Sequence, residues 1–138
     1  MMSRAYAVCV LIRDAQGRIL AISRPNNRED FGLIGGGVER TDGDLDADRE
    51  GTLRRAAVRE LWEEAGIRLQ PHQLKPVYQA QARRRYATVF VPTVPPDPPR
   101  LGLNEEGWVA WVEPEKICSG SFGTYNRKLL HTLQATRR

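Results

Sequence analysis

Three glutamates carry the first chemical signal. Glu60, Glu63 and Glu64 fall at i, i+3 and i+4, so a helix would present all three on one face. Like charges at that spacing repel, at a cost of about 0.2–0.5 kcal/mol per pair, while Leu61 and Ala65 point the other way, toward a core. A cation would offset this repulsion. Carboxylate oxygens suit Mg²⁺, which takes few protein ligands and keeps several waters. The plainer alternative is a solvated helix surface in which Arg59 pairs with Glu63 at i+4. Upstream lies Gly35-Gly36-Gly37-Val38-Glu39. Glycines let backbone come close to a ligand and expose amides and carbonyls. A glycine run alone also makes ordinary turns, but a glycine run followed by an acidic helix is a more specific combination.

Other metal chemistries find little support. The two cysteines, Cys9 and Cys118, and the two histidines, His72 and His131, are far apart in sequence. They form neither a zinc spacing nor a disulfide framework, which leaves a hard cation on carboxylates. Cys9, within an apolar run, reads as a small core residue. Asp42, Asp44, Asp46 and Asp48 have a superficial likeness to a calcium-binding EF-hand. Ala47 stands in place of its glycine and Leu53 in place of its final glutamate, so the pattern fails. Arg40 to Glu50 therefore reads as an exposed, mobile loop with little to bury.

Several elements must position these groups. Tyr6–Arg13 and Arg18–Ser23 read as strands joined by the turn Asp14-Ala15-Gln16-Gly17, and hence as a hairpin. Arg24–Asp30 reads as a polar loop, and Phe31–Ile34 as a short apolar piece running into the glycines. Thr52 is expected to open a helix whose Leu53, Ala56, Ala57, Leu61 and Ala65 form the apolar face, with Gly66 as its stop. Leu74–Ala82 and Tyr86–Thr93 read as strands, and the prolines from Pro92 to Pro99 end the second. Gly107–Val112 is a last strand, Pro114–Ile117 a single helical turn, and Phe122–Thr136 a C-terminal helix. Strands interleaved with two helices indicate a mixed α/β sandwich within a single domain spanning 1–138.

The length of 138 residues suits one core. No apolar run approaches the roughly 18 residues of a membrane span, and Met1–Ala5 does not open a signal peptide, so the expected compartment is the cytoplasm. The net charge of +4 is compatible with an anionic substrate but is mostly spread over the surface, apart from Arg83-Arg84-Arg85 and Arg137-Arg138.

Gly36 to Ile67 resembles the Nudix box, G-x5-E-x7-R-E-U-x-E-E-x-G-U, where U is bulky and aliphatic. Arg59-Glu60-Leu61-Trp62-Glu63-Glu64-Ala65-Gly66-Ile67 matches every defined position of the second half. Ser23-Arg24 through Glu39 is similar to the lead-in of MutT-like members, and Gly107–Glu115 to their last strand. The departures lie upstream. Twenty-two residues separate Gly36 from Arg59, where the box allows thirteen; aligned back from the helix, Gly51 takes the place of the first box glutamate, with Glu50 beside it. Ile34 stands where many members have proline.

The resemblance implies a Nudix-type α/β/α sandwich with a mixed β-sheet and Mg²⁺-dependent hydrolysis of a pyrophosphate bond in a nucleoside diphosphate derivative, with Mn²⁺ as an alternative cation. Glu63 and Glu64 would be the main metal ligands, Glu60 a third ligand or the general base, and Arg59 the group orienting a glutamate. The Gly36 carbonyl, and Glu105 or Glu106 from the loop before the last strand, would complete the metal shell. Ala82 to Arg84 lack the proline or tyrosine seen after the box in members acting on ADP-ribose, dinucleoside polyphosphates or NADH. A MutT-like (deoxy)nucleoside triphosphatase is therefore favoured, with Phe122, Tyr125, Asn126 and Arg24 as the nucleotide-binding residues. Asn126 would offer a donor and an acceptor to a purine edge, and Arg83–Arg85 could meet phosphates. The expected partner is a small-molecule nucleotide rather than a membrane or nucleic acid, and the oligomeric state is open, a homodimer included. Two alternatives remain at this point: a Nudix-fold nucleotide-binding or regulatory domain with weak catalysis, and an RNA 5′-end pyrophosphohydrolase.

Overall fold

The computed structural model describes residues 5–82 and 84–136. Seven strands form one sheet: β1 (Tyr6–Val10), β2 (Ile19–Arg24), β3 (Asn27–Gly37), β4 (Leu74–Ala82), β5 (Arg85–Pro92), β6 (Gly102–Leu103) and β7 (Trp108–Val112). Their order across the sheet is β4-β5-β1-β3-β2-β7-β6. The β1–β5 pair is parallel and the other pairs are antiparallel, so the sheet is mixed. Strand alternation divides the apolar residues between its two faces. Val8, Val10, Ile34 and Phe90 pack with Leu53, Ala57 and Leu61 of helix α1 (Arg49–Ala65). Leu33, Ala87 and Val89 pack on the other side with Tyr125 and Leu129 of helix α2 (Gly123–Thr136). The architecture is the expected α/β/α sandwich.

Three local expectations need correction. The first two strands are not a hairpin. Their pairing is confined to the bridge Arg13–Ile19 and its neighbouring bonds, because β3 inserts between them and pairs with both. Arg24–Asp30 is not a polar loop. Pro25-Asn26 form a two-residue turn closing Arg24 on Asn27, and β3 continues through the three glycines.

Arg40–Glu50 is largely exposed, as expected, but it is anchored at two points and its end is helical. A 3-10 turn covers Arg40–Asp42, Asp42 is only 4% exposed, and Leu45 joins the core under α1. The helix starts at Arg49 rather than Thr52, since Asp48 caps it by accepting from the Gly51 N–H at 3.1 Å. Gly66 ends it in the left-handed conformation at φ 67°.

Candidate active site

α1 lies across the glycine end of β3. Its core-facing stripe of Leu53, Ala57, Leu61 and Ala65 fixes the rotation of the helix, which turns Glu60 and Glu64 to the sheet; each is 7% exposed. The Glu64 carboxylate accepts the Gly35 N–H at 2.9 Å. Glu60 lies against Gly36 so closely that a Cβ there would overlap its carboxylate. Burial pushes the Glu64 carboxyl up to about 8, opposed by the Gly35 bond and reinforced by the charges of Glu60, Glu106 and Glu63. Burial raises Glu60 as well, against the pull of Arg59. Two desolvated carboxylates one helical turn apart hold charge poorly by themselves.

Arg59 organises this acidic face. Its Nε and Nη2 each donate to Asp42 at 2.9 Å. Nη2 also donates to the Gly37 carbonyl at 3.0 Å, and Nη1 reaches Glu60 at 3.2 Å and Glu63 at 3.1 Å. Asp42 in turn accepts the Glu39 N–H at 2.8 Å. The bidentate contact with Asp42 raises the guanidinium's proton affinity further. Counted forward from Gly36, Asp42 is the sixth residue on, the place of the first box glutamate. Its contact with Arg59 makes Asp42, rather than Gly51, the acidic residue that meets the motif's arginine, and on that count the extra chain falls between Asp42 and Arg59. The expected Arg59–Glu63 surface pair exists, but within this network.

Among the described residues, no three Asp, Glu, His or Cys side chains form a ready-made metal cage. Arg59 holds Glu60 and Glu63, and the Gly35 amide holds Glu64. The donor set still fits a hard divalent cation. It offers only oxygen, buried carboxylates that repel one another, and glycine backbone within reach, and Mg²⁺ binds with one or two carboxylates among waters and phosphate oxygens. Glu106 lies in the right region, since its charge acts on both Glu60 and Glu64. Asn104 places it, accepting the Glu106 and Gly107 N–H groups at 2.7 and 3.1 Å while donating to the Glu64 carbonyl at 2.9 Å.

On the other face of β3 a cavity of about 270 Å³ opens. Gly35, Gly36 and Glu106 line it, and so do Arg24, Phe122, Tyr125 and Asn126. The two sets of candidate residues are thus brought together. Their roles differ from the expectation in detail. The Tyr125 hydroxyl donates to the Ala87 carbonyl at 3.2 Å, and its ring meets Tyr78 edge-on, so Tyr125 forms cavity wall. Asn126 is 3% exposed and donates Nδ2 to the Ile117 carbonyl at 2.8 Å. That bond fixes the amide and leaves Oδ1 with no partner among the described residues; the bidentate reading of Asn126 gives way to a single fixed acceptor. Cys9 packs against the core on the α2 side, as expected, and also lines the cavity, with its thiol pushed up to about 12 by burial.

Arg85 also lines the cavity, its guanidinium resting on Gly37. Arg83 lies outside the described residues. Sequence reasoning missed Asp42, Asn104 and Asp30, which touches Arg24 and Ser121. Only Asp42 had a sequence signal: its count from Gly36.

A family model, the NUDIX domain, matches residues 3–133. A curated relative, a MutT-like protein from Streptomyces ambofaciens, is 32% identical over 124 residues, covering 90% of this chain and 73% of that relative. Among solved structures, the MutT protein from Methanosarcina mazei Go1 superposes with a TM-score of 0.65 at 24% identity, covering 97% of this chain and 95% of the other. The E. coli ORF135 protein gives 0.62 at 25% identity, with 96% and 89% covered. The E. coli dihydroneopterin triphosphate pyrophosphohydrolase gives 0.63 at 18%, with 94% of each chain covered.

Proposed function

The chain belongs to the Nudix family and is a Nudix pyrophosphohydrolase, and from that premise we propose that it cleaves a (deoxy)nucleoside triphosphate with Mg²⁺, its whole length acting as one catalytic domain. Nudix hydrolases use divalent metal ions and act on small-molecule nucleotides. The observation that carries the finer reading is the meeting, at Gly35 and Gly36, of the α1 carboxylates with a cavity that holds a fixed amide acceptor.

Glu63 and Glu64, with the Gly36 carbonyl and Glu106, would hold Mg²⁺, which would neutralise the diphosphate and acidify the attacking water; Mn²⁺ suits the same donors, and Glu60 takes the role of base rather than ligand. The chain's own groups do the rest. Arg59 occupies Glu60 Oε2, so Glu60 Oε1 is the atom that takes the water's proton as the oxygen attacks phosphorus in line. The P–O bond to one bridging oxygen breaks, giving a nucleoside monophosphate and pyrophosphate, or a diphosphate and phosphate, according to which anhydride bond is cut. Asn126 Oδ1 selects bases that present an N–H to it, Phe122 supplies an aromatic surface, and Arg24 and Arg85 meet phosphate or sugar oxygens. Cys9 and Cys118 are both free, which suits a reducing compartment, and the cytoplasm is the one proposed. Among the described residues no helix is long and apolar enough to cross a membrane.

The test is a product analysis with Mg²⁺ across ribo- and deoxynucleoside triphosphates, ADP-sugars, dinucleoside polyphosphates and capped RNA. The expected outcome is turnover of triphosphates above the other classes. Preferential cleavage of capped RNA or ADP-sugars would overturn the proposal.

A further inference from the structure

Asp30 is not part of the acidic helix, and nothing in the chemistry above uses it. It sits on β3 and lines the cavity, with its side chain 14% exposed. Oδ2 accepts Arg24 Nε at 2.9 Å and also the Ser121 hydroxyl, and Oδ1 accepts the Ser121 N–H at 2.9 Å. The turn carrying Ser121 reaches it because the preceding residue is Gly120, where a Cβ would overlap the Asp30 carboxylate. Two residues past the latch the chain enters α2, whose first turns carry Tyr125 and Asn126 into the cavity.

One carboxylate thus joins two walls that are remote in sequence. One wall is the β2–β3 hairpin with Arg24; the other is the start of α2 with Phe122 and Asn126. Arg24 spends only Nε on the contact, so both terminal nitrogens remain unbonded among the described residues. The bonds from Ser121 and Arg24 hold the Asp30 carboxyl below the usual carboxylate range, so it is charged at neutral pH and acts as a double acceptor throughout.

We propose that Asp30 is the positioning residue of the nucleotide pocket, setting Arg24 against the first turns of α2 so that guanidinium and amide meet one ligand together. This rests on the reading of the cavity as a nucleotide site. Its consequence is selective. Loss of the latch loosens ground-state and transition-state binding alike, because it moves groups that hold the nucleotide and leaves Glu60, Glu63 and Glu64 in place. Such a change appears in KM rather than kcat.

The experiment uses the full chain with Mg²⁺ and the four common deoxynucleoside triphosphates. Turnover by the wild type tests the nucleotide reading by itself; no turnover of any triphosphate removes that reading and the proposal with it. With an active wild type, Asp30→Asn, which keeps the size and one acceptor but loses the charge, is expected to raise KM about tenfold with kcat within about twofold, and to narrow the spread of kcat/KM among the four bases. Ser121→Ala, a smaller lesion, is expected to shift KM the same way by a smaller factor. Unchanged KM and unchanged base preference in either variant would overturn the proposal. So would parallel losses in kcat and thermal stability with KM unmoved, the pattern of a merely structural contact. If Asp30→Asn does not fold, Ser121→Ala decides alone by the same two readouts.

Discussion

At the scale of single residues, the chemistry depends on carboxylates kept where they are least comfortable. Glu64 is buried, shares its surroundings with Glu60 and Glu106, and has one backbone N–H as its compensation. Natural chains rarely retain such a group without a use for it. Glu63→Gln and Glu64→Gln should each lower kcat by about two orders of magnitude or more, the scale of losing a major electrostatic element. The thermal midpoint of the metal-free protein should stay the same or rise for Glu64→Gln, since a carboxyl whose ionised form burial disfavours is replaced by a neutral amide of the same shape; scanning calorimetry in chelator checks this. Wild-type turnover in both variants at saturating Mg²⁺ would remove them from the site. Asn126 allows a second residue-level expectation. With Nδ2 committed to Ile117, the amide contributes one acceptor, and one hydrogen bond is worth about 0.5–1.5 kcal/mol. Asn126→Ala should therefore reduce the kcat/KM ratio between bases with and without a matching N–H by about three- to tenfold, rather than by the larger factor of a bidentate contact. An unchanged ratio would leave Asn126 as a structural tie between α2 and the turn at Ile117.

At the scale of elements, the segment from Arg40 to Glu50 shows where sequence reasoning stops. Alternating aspartates look like solvated chain, and nothing in the local pattern says that one of them will be buried. Asp42 is buried because Arg59 lies seventeen positions on and a helix carries its guanidinium back over the segment. Leu45 is buried because α1 covers it. Both contacts are long-range, so a window of a few residues cannot contain them. The helix opens earlier than expected for a local reason: Gly51 lowers helix propensity, but Asp48 as a cap outweighs it. The acidic helix itself was legible, because its periodicity and its motif lie within one element. Asp42→Ala gives a test of the network. It leaves Arg59 partly buried without its bidentate partner, a change expected to cost about 2 kcal/mol or more. With Arg59 less well held, Glu60 and Glu63 lose their common support and kcat should fall about tenfold. Denaturant unfolding and steady-state kinetics measure the two effects separately. A variant of wild-type stability would show that Glu60, Glu63 and Glu39, whose carboxylate lies 3.5 Å from Arg59 Nη1, suffice for Arg59.

At the scale of the whole molecule, the sheet is a partition that the site uses from both sides. Its class was legible from the interleaving of strands and helices, and its order was not. The insertion of β3 between β1 and β2 depends on an eleven-residue strand whose first half looks like loop and whose last three residues are glycines. Those glycines are also the reason the partition is thin enough to share. The period-two alternation of a strand sends successive Cα–Cβ directions to opposite faces. At Gly36 that direction meets the Glu60 carboxylate; at Gly37 it meets the Arg85 guanidinium, at 3.2 Å from where a Cβ would stand. Neither glycine has a positive φ, so alanine is tolerable to the backbone at both, and in each case the obstruction is the mobile end of a side chain. Two nearly identical substitutions should then report on opposite faces. Gly36→Ala displaces Glu60 and is expected to lower kcat by at least tenfold with KM little changed. Gly37→Ala displaces Arg85 by a few tenths of an ångström and is expected to raise KM severalfold with kcat little changed. Steady-state kinetics with the best triphosphate distinguishes them, and circular dichroism shows whether both variants remain folded. The same kinetic defect in both would mean that the two faces do not divide the work, and that the glycine run matters only as flexible backbone.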